Sequence, residues 1–105
     1  MVLVVNNYTI ILFYKYVNIE NPEELRKAQL YLATKLGLKG RVIVAKEGIN
    51  ATFEGTKENI DNYLKEFLFD SRFADTHIKK SQGTGNAFPK LSVKVRKEIV
   101  TLGLE

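Results

Sequence analysis

Apolar and polar positions are distributed along the chain in two rhythms, period two and period three to four, and these predict its elements. Ile10–Val17 is β-branched and aromatic and predicts a first strand. Either Leu12, Tyr14 and Tyr16 face inward, or Ile11, Phe13 and Val17 do so together with Lys15. The first choice avoids burying an unpaired lysine and is the expected one. Asn18–Asn21 is a loop, and Asn21-Pro22-Glu23-Glu24 opens a helix: an N-cap, proline at the first helical position and acids in the first turn. Leu25, Ala28, Leu32 and Leu36 form its apolar stripe, and Gly37 ends it. Arg41–Lys46 carries the unbroken run Val42–Ala45 of a central strand. After a turn at Glu47-Gly48, Ile49, Ala51 and Phe53 point inward, and Asn50, Thr52 and Glu54 outward. The two strands are too close for a helical crossover and form a hairpin. Gly55 breaks the second of them, Thr56 caps a second helix, and Ile60, Tyr63, Leu64, Phe67 and Leu68 mark its buried face. His77–Ser81 is a short strand and Gly83–Asn86 a flexible loop. In the final strand Leu91, Val93 and Val95 alternate with Ser92, Lys94 and Arg96, so that one face is basic.

The order strand, helix, strand, strand, helix, strand is a split βαβ arrangement. It predicts an α+β, ferredoxin-like βαββαβ sandwich, an antiparallel sheet with two helices on one face and the other face open. The stretch LGLKGRV (36–42) followed by a hairpin makes the layout similar to acylphosphatase. A chain of 105 residues has surface for one core. Residues 10–100 are the expected domain, 1–9 an N-terminal extension, and 101–105 the start of a linker or an expression-vector remnant. No apolar run approaches the roughly 18 residues of a membrane span. The apolar opening is interrupted by Asn6 and Asn7 and lacks a basic n-region and a cleavage site, so no membrane association and cytoplasmic residence are expected.

The net charge of +4 is unevenly placed. Residues 1–75 hold ten Lys/Arg and ten Asp/Glu; residues 76–105 hold six basic residues against two acidic ones. Such a local positive field attracts polyanions, nucleic acid first. The competing reading is a solvated edge strand guarded by lysines against aggregation.

The absence of cysteine excludes disulfides, thiolate metal ligation and a thiol nucleophile, and the single His77 cannot build a His/Cys zinc site. No metal or cofactor is expected. The outward residues of the hairpin's second strand, Asn50, Thr52 and Glu54, include no aromatic side chain, which argues against a standard RNA-recognition motif. Acylphosphatases use an arginine in a Gly-rich loop after the first strand and an asparagine on the second. Here the loop Val17–Asn21 has neither glycine nor arginine, and Val44 stands where the asparagine belongs. Gly83-Thr84-Gly85 lacks the lysine and helix of a P-loop.

Three stretches carry a resemblance: FYKYVNI (Phe13–Ile19), GRVIVAKEGINATFEG (Gly40–Gly55) and LSVKVRKEIVTLGL (Leu91–Leu104). They resemble the N-terminal, acylphosphatase-like domain of the rhodanese-related tRNA uridine hydroxylases, with Glu47, Gly48, Ile49 and Asn50 as the family motif. The resemblance implies a parent that is an oxidoreductase, making 5-hydroxyuridine at the tRNA wobble position with molecular oxygen. It also implies a C-terminal rhodanese domain as partner within the same protein, bearing a catalytic cysteine that no position here supplies. No catalytic residue is therefore assigned to this chain, which is expected to be an accessory, RNA-positioning domain with tRNA as candidate partner. Lys94, Arg96 and Lys97, with Lys90, Arg41 and Lys46 as neighbours, are the expected contacts to RNA phosphates. Two alternatives stand beside it: a non-catalytic structural or docking module of a rhodanese-like sulfurtransferase, and an acylphosphatase-like enzyme, disfavoured by the missing arginine and asparagine.

Overall fold

The computed structural model describes residues 7–100. Within them the elements run β1 (Tyr8–Tyr16), α1 (Pro22–Lys35), β2 (Lys39–Ala45), β3 (Gly48–Thr56), α2 (Lys57–Phe69), β4 (Lys79–Gly83) and β5 (Leu91–Val95). The strands form one sheet in the order β4-β1-β3-β2-β5. β1, β2, β3 and β4 pair antiparallel, as a ferredoxin-like fold requires. β5 departs from the expected all-antiparallel sheet. It runs parallel to β2, pairing Gly40 with Leu91 and Val44 with Val95. The long connection across residues 84–90 returns the chain to the end of the sheet at which β2 also begins, so the fifth strand can only be added parallel. The expected short strand lies slightly later than His77–Ser81, and the first begins at Tyr8, inside the stretch expected as an extension.

Local signals explain both helices. The Asn21 side chain accepts a hydrogen bond from Glu24 N–H at 3.2 Å, and Thr56 Oγ1 accepts one from Asn59 N–H at 3.2 Å. α1 closes in a Schellman motif: Leu38 N–H donates to Ala33 C=O and Gly37 N–H to Thr34 C=O, with Gly37 at φ +67°. The α1 face differs from the expected stripe. Leu25, Gln29 and Ala33 are buried, Leu32 and Leu36 are half-buried, and Ala28 is exposed. Gln29 tolerates burial because Tyr63 Oη–H on α2 donates to its Oε1. Burial pushes the Tyr63 hydroxyl well above its ordinary pKa, so it remains a donor.

The core lies between helices and sheet. Ile11 and Phe13 of β1, Val42 and Val44 of β2, and Ile49, Ala51 and Phe53 of β3 meet Ile60, Tyr63, Leu64 and Phe67 of α2. An aromatic stack runs through it: Phe13 and Phe67 centroids are 4.6 Å apart, Phe53 and Tyr63 4.7 Å, Phe67 and Phe73 4.6 Å. The orientation of β1 is thus the reverse of the expected one: Leu12, Tyr14 and Tyr16 stand on the open face. The lysine objection fails because Lys15 is never buried unpaired. Its Nζ reaches Asp75 at 2.8 Å from a half-buried stem.

Candidate functional site

The six cations predicted from sequence fall into two groups, with one outlier. Arg41 on β2 pairs with Ser92 on β5, and Ile43 pairs with Lys94. Arg41 and Lys94 are therefore diagonal neighbours on the open face, with Lys39 two residues before Arg41 on the same side. The second group forms where β2 and β5 end together. Arg96 N–H donates to Val44 C=O at 2.9 Å, and Lys46, Arg96 and Lys97 line one concavity with Val95 and Pro22. Lys90 sits at the opposite end of β5, where its carbonyl accepts from Gly40 N–H at 3.1 Å. All six side chains are exposed, and none forms an ion pair with another described residue. Four of the six cations of the last thirty residues, Lys90, Lys94, Arg96 and Lys97, thus lie along the β5 edge, while Lys79 and Lys80 lie on β4 at the opposite edge of the sheet.

The motif residues divide between scaffold and clamp. Ile49 is buried in the core. Gly48, at φ +151°, lies so close to β1 that a Cβ there would come within 2.0 Å of Lys15 O. Glu47 and Asn50 hold the same residue after β5: Ile99 N–H donates to Glu47 Oε2 at 2.9 Å, and Asn50 Nδ2 donates to Ile99 C=O at 2.9 Å. Ile99 is buried at 1% exposure, outside the main core cluster. The stretch leaving β5 is therefore folded back across the hairpin, a role that sequence spacing could not reveal.

Glu54 corrects a second expectation. It points to the open-face side of β3 but is only 3% exposed, because the 84–87 loop closes over it. Its carboxylate accepts from Thr84 and Gly85 N–H at 2.8 Å each and from Ala87 N–H at 2.9 Å. The expected flexible loop is therefore pinned. Burial alone would raise the Glu54 pKa; the bonds from Gly85, Ala87 and Thr84, aided by the Lys39 charge, outweigh it and hold the carboxyl below its ordinary value.

The loop after β1, where an acylphosphatase holds phosphate, is committed elsewhere. Val17 N–H donates to Glu47 C=O at 3.0 Å and Ile19 N–H to Lys46 C=O at 2.8 Å, so these amides face the β2–β3 turn. Val44 is fully buried. Among the described residues no cluster of three or more His, Cys, Asp or Glu has metal-binding geometry.

A family profile described as "UPF0176 acylphosphatase like domain" matches residues 8–99, from the start of β1 to the clamped Ile99. The chain belongs to this family. Family relatives include the tRNA uridine(34) hydroxylase of Bacillus licheniformis, 48% identical over 95% of this chain and 31% of the relative. That of Staphylococcus haemolyticus is 44% identical over 94% of this chain and 31% of the relative, and that of Bacillus velezensis 45% over 93% and 30%. The chain spans about a third of the length of these curated relatives and matches their N-terminal part. Solved structures agree on the fold. The dark-state BLUF protein BlrB superposes with TM-score 0.71 at 17% identity, covering 86% of this chain and 73% of BlrB. An acylphosphatase from Coxiella burnetii gives TM-score 0.58 at 17% identity, covering 86% and 94% respectively. No helix among the described residues of this UPF0176 domain is long and apolar enough to cross a membrane.

Proposed function

We propose that this UPF0176 domain is the RNA-positioning module of a cytoplasmic tRNA hydroxylase that oxidises the wobble uridine, its catalytic cysteine lying in a rhodanese domain outside these residues. The observation that carries the reading is the unpaired cationic edge formed by Arg41, Lys94, Arg96, Lys97 and Lys46, on a domain matching the N-terminal part of tRNA uridine(34) hydroxylases. Cations without carboxylate partners bind a phosphate backbone by releasing its counterions, and such contacts fix orientation without reading sequence. Lys90 extends the edge at its far end.

The test is a titration of tRNA against the domain at several ionic strengths. Log affinity falls linearly with log salt, by about 0.7–0.9 per neutralised phosphate. Lys94→Ala and Arg96→Ala each reduce that slope by about one contact. Binding absent at low salt, or a slope unmoved by both substitutions, overturns the proposal.

A second reading, a docking module for the rest of its parent protein, draws on the helix face. There Phe69 is 91% exposed beside a groove lined by Leu32, Leu36 and Lys65. Arg41 and Lys94 lie across the sheet from that groove, and the Lys46–Arg96–Lys97 concavity shares no lining residue with it, so docking at the groove does not cover these cations directly.

A further inference from the structure

β1 places three large side chains on the open face: Leu12 at 44% exposure, Tyr14 at 61% and Tyr16 at 55%. The two tyrosine rings are 6.1 Å apart and inclined at 76°, so that one offers its face where the other offers its edge. They border a groove lined by Leu12, Tyr14, Tyr16, Asn50, His77 and Lys79. Three features describe what fits there. Exposed tyrosines offer flat apolar rings at low entropic cost, and every nucleobase has a matching π-face. Cations frame the ridge: Lys79 is the β4 partner of Leu12, while Arg41 and Lys94 lie across the same face on β2 and β5. Asp75, the one carboxylate lining the groove, is ion-paired with Lys15, while Glu54 is buried under the 84–87 loop and neither it nor Glu47 lines the groove. Charge complementarity therefore selects a polyanion with exposed aromatic bases.

We infer that the Tyr14–Tyr16 ridge is a stacking site for unpaired nucleobases of single-stranded RNA, which also receives backbone phosphates on the cations around it. The inference rests on the RNA-positioning reading and adds to it a preference that phosphate contacts alone do not give. A duplex keeps its bases internally stacked and cannot use the ridge, whereas a loop can.

The test uses two probes, a fluorescein-labelled oligouridylate and its duplex with oligoadenylate. Tyr14→Ala with Tyr16→Ala weakens oligouridylate binding about tenfold or more and leaves the salt slope unchanged. Duplex binding changes less than about twofold, and Tyr14→Phe with Tyr16→Phe restores single-strand affinity because stacking needs the ring and not the hydroxyl. Both side chains are largely exposed and lie outside the core cluster, so the variants remain folded, which melting curves check. The chain has five tyrosines and no tryptophan, so quenching of tyrosine emission by oligouridylate reports stacking in the unmodified protein. If oligouridylate binds with a normal salt slope but is indifferent to the alanine variants and leaves tyrosine emission unquenched, the stacking site is wrong and the backbone reading survives. If neither probe binds at low salt, both are wrong, and the ridge is a protein-docking surface.

Discussion

Glu54 replaces solvent for three loop amides, so its removal exposes what the 84–87 loop costs to hold. Glu54→Ala leaves those N–H groups without an acceptor and destabilises the fold by about 2–4 kcal/mol, read from urea unfolding midpoints. The pH dependence has a definite sign. The folded-state pKa lies below the ordinary 4.5, so the stabilisation is complete above that pH and disappears as pH falls below 4.5 through the folded value. Glu54→Gln therefore flattens the acid limb of the stability curve, while the parent keeps it. An acid limb of equal steepness in both proteins contradicts this role. Lys15 shows the same principle from the other sign of charge: the sequence offers no nearby partner and so argues for turning it outward, whereas its actual partner, Asp75, is sixty positions away.

The hairpin β2–β3 and the stretch after β5 are one assembly, because Glu47 accepts from the N–H of Ile99 and Asn50 donates to its C=O. Glu47→Ala combined with Asn50→Ala accelerates hydrogen exchange at the Ile99 amide by about tenfold or more while the global unfolding midpoint shifts little. Unchanged protection at Ile99 contradicts the clamp. Element types were legible in the sequence where a local signal decides them. The Asn21 and Thr56 caps, Gly37 past α1, and the Ile60–Phe67 spacing of α2 act within a turn or two of the chain. Three features were not legible for want of a distant partner, and a fourth, the direction of β5, for another reason. The facing of β1 depends on Asp75, the burial of Gln29 on Tyr63, and the burial of Glu54 on a loop thirty residues later. The direction of β5 depends on the 84–90 connection, whose hydrophobic pattern carries no information about parallel or antiparallel pairing. For the candidate site, the cations were legible as charge. Their division into an open-face pair, an end cluster and the outlying Lys90 needed the β2–β5 register.

Across the molecule the sheet separates two surfaces of opposite character. The helix side covers the core and exposes Phe69; the other side carries Tyr14, Tyr16, Arg41 and Lys94, beside the stretch after β5 that is clamped at Ile99. The proposed RNA-positioning role uses the open side and the β5 edge, and the proposed docking role uses the helix side. The proposed function therefore predicts not only binding but its location. The most direct measurement is a map of backbone amide chemical-shift changes on addition of tRNA to the isotope-labelled domain. The account predicts perturbations along β5 and the open face, including Arg41, Lys94, Arg96 and Tyr14, with Leu32, Leu36 and Phe69 unmoved. Perturbations confined to the helix face, or none at low salt, would contradict it.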